Sequence, residues 1–169
     1  TPASYTLSLH DALPISRMKY LLGQIYADQE LDGLAYKTFG EVARSNPPYE
    51  LEFASRIRQT EVFSGTNYLK VVKMLEKMAK SQKNKDYLDQ VYYALGNVYL
   101  SREDTVNAIK NYQLGIDKST LNGMDKAICQ IKLGDIYFTM RDYVKAQPCF
   151  SGALAGIQKE YREIGRAHV

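Results

Sequence analysis

The sequence of 169 residues contains no tryptophan, two histidines and two cysteines. Many metal centres and all histidine-dependent catalysis need histidine or cysteine side chains, and a chain this poor in both provides little for either chemistry. Cys129 and Cys149 each lie among apolar neighbours in helical stretches, which predicts buried thiols and not a disulfide. No run of about 18 apolar residues occurs, so no segment reads as a membrane-spanning helix.

An excess of charge of one sign is also absent. The formal net charge is +3, too mild for a dedicated nucleic-acid-binding protein, so no nucleic-acid partner is expected. Neither a glycine-rich phosphate loop nor a nucleophile elbow occurs. The sequence therefore predicts a protein that is not an enzyme and needs no cofactor.

The two ends of the chain look unlike the rest. Residues 5–15, YTLSLHDALPI, and residues 163–169, EIGRAHV, resemble translations of the two adapters used in short-read DNA sequencing. Both histidines lie in these segments. We expect residues 1–16 and 163–169 to be non-native, to add no fold-specific contacts beyond extending the terminal helices, and to flank a piece of a longer protein.

One pattern of small and aromatic residues occurs three times. In the central copy, Gly96 is followed by Tyr99, Ala108 and Tyr112 at spacings that place them on facing sides of two antiparallel helices. A glycine where two helices cross leaves room for a large side chain of the partner, here Tyr112 or Tyr99. The other two copies have the same register: Gly23, Tyr26, Ala35 and Phe39 form one, and Gly134, Tyr137, Ala146 and Phe150 form the other. They predict that Phe39 and Phe150 are core residues.

This pattern resembles the tetratricopeptide repeat family, whose unit is a helix-turn-helix of about 34 residues. The resemblance implies an all-α, right-handed α-solenoid of about four hairpins. The hairpins would be residues 17–48, a degenerate copy at 49–83, and residues 86–122 and 123–162. The opening aromatic of the family is kept only as Tyr92, and the closing proline only as Pro47.

The resemblance also implies a scaffold that binds a protein segment in the concave groove lined by the first helices. In the family, the residues that face this groove follow the packing aromatic or the glycine of each first helix. The matching positions in this sequence are Tyr20, Gln24, Tyr93, Asn97, Ile131, Asp135 and Phe138. The family's carboxylate clamp needs lysine where Tyr20, Tyr93 and Ile131 stand, so this type of clamp is not expected. Two alternatives remain: a cytoplasmic adaptor or co-chaperone-like module, and a helical-repeat RNA-binding protein that stacks bases on tyrosines.

A narrower resemblance begins at Arg17 with the run RMKYLLGQIYADQELDGLAYKTFGEVARSNPPYELEFASRI and continues in DYLDQVYYALGNVYL. These stretches are similar to the repeat region of bacterial gliding-motility and type IX secretion lipoproteins. The resemblance implies a scaffold at the periplasmic face of the outer membrane, attached only through a lipid anchor outside the sequence. Otherwise, the cytoplasm is the expected location.

Two local features complete the expectations. Lys70, Lys73, Lys77 and Lys80 recur at helical spacing and form a possible basic docking strip for an acidic partner or an anionic lipid surface; the row also fits a solvated outer face. Pro148 falls inside the last predicted helix, where it predicts a kink or a late start.

Overall fold

The computed structural model describes the backbone of residues 9–63, 65, 68–120 and 123–167, and side chains within these ranges from 13 to 158. None of these residues forms a β-strand, which confirms the predicted all-α class. The described residues form eight α-helices: α1 (Leu9–Asp28), α2 (Asp32–Arg44), α3 (Tyr49–Glu61), α4 (Tyr68–Lys80), α5 (Leu88–Leu100), α6 (Thr105–Lys118), α7 (Met124–Thr139) and α8 (Tyr143–Ala167). A 3₁₀ helix, Gln82–Tyr87, precedes α5.

The chain divides into two compact units, Thr1–Tyr68 and Leu69–Val169. In the first, α2 packs against both α1 and α3. The division falls inside the predicted degenerate repeat at 49–83, so that α3 belongs to the first unit and α4, after Tyr68, to the second.

In the second unit, consecutive helices pack against one another from α5 to α8, and α5 also contacts α7. Such contact between alternate helices brings the first helices of two successive hairpins side by side. Their common core contains the buried side chains of Ala108, Tyr112, Leu133 and Ile136.

Each of the three hairpins that carry the repeated pattern is closed by an aromatic ring that lies over a glycine. A Cβ atom placed on Gly96 would lie only 2.5 Å from Cε1 of Tyr112, a residue with no exposed surface. Tyr112, and not Tyr99, therefore fills the space that the glycine leaves. The equivalent separations are 2.7 Å for Gly23 and Phe39, and 2.8 Å for Gly134 and Phe150.

The prediction that Phe150 is a core residue is wrong in part. Its ring covers Gly134, yet 36% of the residue is exposed, whereas Phe39 has no exposed surface. The reason is that burial depends on what packs over the ring's other side. Phe39 belongs to a helix with packed neighbours on two sides, α1 and α3, while α8 packs chiefly against α7.

The turns within the hairpins also repeat. After α1, α5 and α7, a residue with positive φ is followed by an amide N–H that donates to the carbonyl of the tyrosine five positions earlier, the C-terminal arrangement known as a Schellman motif. The positive-φ residues are Glu30 (58°), Glu103 (61°) and Arg141 (61°). The bonds run from Leu31 to Tyr26 (2.9 Å), Asp104 to Tyr99 (3.0 Å) and Asp142 to Tyr137 (2.9 Å).

Two aspartates cap the helices that follow them. The side chain of Asp104 accepts a hydrogen bond from the Asn107 amide at 3.1 Å, and that of Asp142 accepts one from the Lys145 amide at 3.3 Å. Each carboxylate satisfies an amide that the first turn of a helix leaves unpaired. These caps fix where α6 and α8 begin.

Two expectations about the terminal helices need correction. Residues 9–16 form the start of α1, and Ser16 is buried with its Oγ 3.2 Å from Oγ of Ser45. Ser16 therefore makes a tertiary contact, contrary to the expectation for the segment that it ends. Residues 1–8 and 168–169 lie outside the described residues. Pro148 lies within α8, which begins at Tyr143, so the expected late start is wrong. The Val144 carbonyl loses a donor there, and Val144 is 85% exposed, so water can replace the missing amide.

Candidate functional site

Two of the predicted groove residues, Tyr20 and Gln24, lie on α1 in the first unit, and both are half-buried. The Tyr20 ring packs on Phe39 with 5.6 Å between the ring centroids. Tyr20 therefore supports the closing aromatic of its hairpin as well as contributing to the surface of α1.

On α5, Tyr93 and Asn97 both contact Tyr112. The rings of Tyr93 and Tyr112 lie 6.1 Å apart, and the Tyr112 hydroxyl donates to Oδ1 of Asn97 at 2.6 Å. Burial raises the pKa of Tyr112 well above its usual range, so the hydroxyl remains a donor at neutral pH. These two groove candidates thus brace the core tyrosine, a role that the sequence projection did not predict.

On α7, the three predicted residues differ in exposure. Ile131 is half-buried, Asp135 is exposed, and Phe138 is 58% exposed, with its ring 5.4 Å from that of Tyr143 in an edge-on arrangement. Because α5 and α7 pack together, the second unit holds five predicted groove residues on two adjacent helices. Asp135 and Phe138 are the members with the most surface to offer.

The four lysines of the predicted docking strip are all exposed. They occupy one side of α4, while Val71, Val72, Leu75 and Met78 are buried on the other. Within the described part of the chain, none of the four forms an ion pair. We call Lys70, Lys73, Lys77 and Lys80 the lysine strip.

The structure also contains a buried polar cluster that sequence reasoning missed. Asp89, near the start of α5, is 3% exposed and accepts hydrogen bonds from Oγ of Ser119 at 2.7 Å and from the Gln90 amide at 2.9 Å. Sγ of Cys129 lies 3.7 Å from the Asp89 carbonyl oxygen. No local pattern signals this cluster, because Ser119 and Cys129 are 30 and 40 residues from Asp89 in sequence.

This polar cluster has a structural role. Burial raises the pKa of the Cys129 thiol to about 12, so it stays protonated at neutral pH and is a poor nucleophile. Both Cys129 and Cys149 are free thiols, as predicted, although only Cys129 is fully buried. The cluster joins the start of α5 to the end of α6 and to α7.

We expect Asp89 to make stability depend on pH. Burial raises the pKa of Asp89 above 3.8, the usual value for an aspartate, and this effect outweighs the opposing hydrogen bonds from Ser119 and Gln90. The folded state therefore binds the proton more tightly than the unfolded state. Stability falls as pH rises from about 3.8 through the raised folded-state pKa, because ∂ΔG/∂pH follows the difference in bound protons.

Urea unfolding of the wild type and Asp89→Asn between pH 3 and pH 7 measures this effect. The stability of Asp89→Asn relative to the wild type should increase with pH over that window and then level off. Ser119→Ala removes a bond that favours the charged form, and should extend the window to higher pH. A wild-type to Asp89→Asn difference that is constant with pH would contradict the assignment.

Among the described residues, no group of three or more His, Cys, Asp and Glu side chains is arranged to hold a metal ion. A search of the described helices likewise identifies none that is long and apolar enough to cross a membrane. No protein-family model matches the chain, and a search of curated proteins finds no significant match.

Proposed function

We propose that this chain is a scaffold of the tetratricopeptide-repeat type, a right-handed solenoid that binds a segment of another protein. The observation that carries the proposal is the repeated hairpin: a glycine under an aromatic ring, and a turn with one hydrogen-bond pattern, at the same register three times. Repeats of one geometry generate a regular array, and arrays of helical hairpins expose extended surfaces suited to polypeptides.

The proposed binding surface in the second unit is formed by Asn97, Asp135 and Phe138 with their neighbours on α5 and α7. Phe138 offers an exposed aromatic ring, whose large contact area and few rotatable bonds suit an interface anchor. Asp135 can accept hydrogen bonds from a ligand backbone. Since Asn97 uses Oδ1 to hold Tyr112, its Nδ2 group is the part left for a ligand.

The test compares two double variants of the whole chain in a cross-linking pull-down. Phe138→Ala with Asp135→Ala removes the exposed groove residues and should reduce partner recovery at least fivefold. Val106→Ala with Asp117→Ala is the matched control, since it removes one exposed apolar and one exposed acidic residue from α6. Both should retain the wild-type circular dichroism spectrum.

If the two double variants recover equal amounts of the protein partner, the groove is not the binding surface. Recovery of RNA in place of protein would favour the helical-repeat RNA-binding alternative.

The narrower proposal is that this scaffold serves a bacterial type IX secretion or gliding apparatus. It is supported by the similarity of the run beginning at Arg17 to the repeat region of lipoproteins from that apparatus. Sequencing the upstream coding region tests it: a signal peptide that ends in a cysteine supports an outer-membrane scaffold, and a start codon without one supports a cytoplasmic adaptor.

A further inference from the structure

A second surface of the Leu69–Val169 unit has the form of a binding site. A recess of about 290 Å³ opens between α4, α5 and α6. Its lining includes the apolar side chains of Ala79, Leu95 and Leu114, one from each helix. It shares no residue with the proposed groove surface of Tyr93, Asn97, Ile131, Asp135 and Phe138.

The charge around the recess is mostly positive. Lys80 and Lys110 line it from α4 and α6, with Glu76 as the single acidic residue of the lining. Neither lysine forms an ion pair within the described residues, whereas Lys19 and Lys145 are each paired with a carboxylate, Glu41 and Asp142. An unpaired cation beside an apolar recess remains available to a carboxylate from outside.

The recess continues into the lysine strip, because Lys80 belongs to both. From Lys70 to Lys80 the strip covers ten residues of helix, about 15 Å at 1.5 Å per residue. An extended polypeptide covers that distance in about four or five residues. A short segment with several acidic side chains therefore matches the strip in both length and charge.

A polar group in the recess suits a polypeptide backbone. Asn111 is 9% exposed, and its Nδ2 donates to the Asn107 carbonyl at 2.8 Å. No described residue donates to its Oδ1, so this atom can accept an amide N–H from a segment that enters the recess. Such an acceptor adds nothing to the binding of a phosphate or another simple anion.

From these observations we propose that the recess and the lysine strip together form a docking site for an acidic protein segment. The segment places its Asp and Glu side chains along the strip and against Lys110, and inserts one apolar side chain between Ala79, Leu95 and Leu114. Charge attraction sets the orientation and speeds association, while the apolar insertion makes the site selective. This site is separate from the groove and does not depend on it.

The first experiment measures fluorescence anisotropy of a fluorescein-labelled peptide, Glu-Glu-Glu-Phe-Glu-Glu, titrated with the whole chain. Lys80→Glu with Lys110→Glu should weaken binding at least tenfold. Lys37→Glu with Lys132→Glu makes the same change in net charge on helices that do not line the recess, and should weaken binding less than threefold. Equal losses would show general charge attraction and overturn the site.

The second experiment fills the recess without changing charge. Ala79→Phe should weaken binding of the phenylalanine peptide at least fivefold, and should leave binding of a peptide with serine in place of phenylalanine unchanged. Leu114→Trp serves the same purpose if Ala79→Phe fails to fold by circular dichroism. Unchanged affinity for the phenylalanine peptide would refute the insertion.

Two further probes test other classes of ligand on the same variants. Phosphatidylserine vesicles and single-stranded oligothymidine should bind more weakly than the peptide and respond to Ala79→Phe by less than twofold. If either binds more tightly than the peptide and loses affinity in Lys80→Glu with Lys110→Glu, the surface is a membrane or nucleic-acid site and the proposal is wrong. Absence of peptide binding by the wild type also overturns it.

Discussion

Phe39→Ala is expected to destabilise the protein by roughly 3–5 kcal/mol, the range for deleting a fully buried aromatic side chain. Phe39 has no exposed surface, its ring lies against Gly23, and Tyr20 packs on it at 5.6 Å. Removing the ring loses the transfer free energy of the buried atoms and leaves a cavity between α1 and α2. Urea unfolding followed by circular dichroism measures the loss.

Phe150→Ala provides the matched control, because Phe150 occupies the same register above Gly134 but is 36% exposed. Its substitution removes less buried area and leaves an open notch in place of a closed cavity, so the cost should be clearly smaller. Equal costs for Phe39→Ala and Phe150→Ala would contradict the explanation from burial.

Gly96→Leu is expected to cost on the order of 1–3 kcal/mol or more through overpacking. Even the first added carbon would lie 2.5 Å from Cε1 of Tyr112. Tyr112 has little freedom to move, since its hydroxyl is hydrogen-bonded to Asn97 at 2.6 Å and the residue is completely buried. The same unfolding measurement applies.

Two variants check that the cost comes from the contact with Tyr112. Gly33→Ala adds a methyl group at a helical glycine where nothing beyond the adjacent residues and the backbone of its own helix lies within 4 Å of the new position. This change should therefore be neutral or stabilising by up to about 1 kcal/mol. Combining Gly96→Leu with Tyr112→Ala should cost less than the sum of the two single changes, because the smaller side chain relieves the clash. Strict additivity would mean that the two residues do not compete for space.

The sequence was sufficient wherever the deciding interactions are local or repeat with a fixed period. The register that places Tyr112 on the helix facing Gly96 follows from helix geometry, although only the structure shows that Tyr112 and not Tyr99 covers the glycine. The caps at Asp104 and Asp142 follow from residue type beside a turn. Each of these features depends on residues within a single hairpin, so three copies of one pattern were enough to locate them.

The candidate groove was less predictable. The projection identified Tyr93 and Asn97 as ligand-facing, whereas the structure shows both in contact with Tyr112. A helical projection assigns a residue to one face of its helix, but it does not show which neighbouring helix packs against that residue. Asp135 and Phe138 remain exposed, and for that reason they carry the test of the groove.

The sequence by itself determined that the chain is helical and that a glycine in each of three hairpins lies where an aromatic side chain of the partner helix can cover it. Tertiary structure alone decided that Phe39 is enclosed while Phe150 is partly open, that Asp89 is buried beside Ser119, and that Lys80 and Lys110 meet at one recess. The physical reason is the separation along the sequence over which each interaction acts. Propensity, capping and ring-over-glycine packing act over one hairpin, whereas enclosure and the grouping of charges depend on residues that only the packing of successive helices brings together.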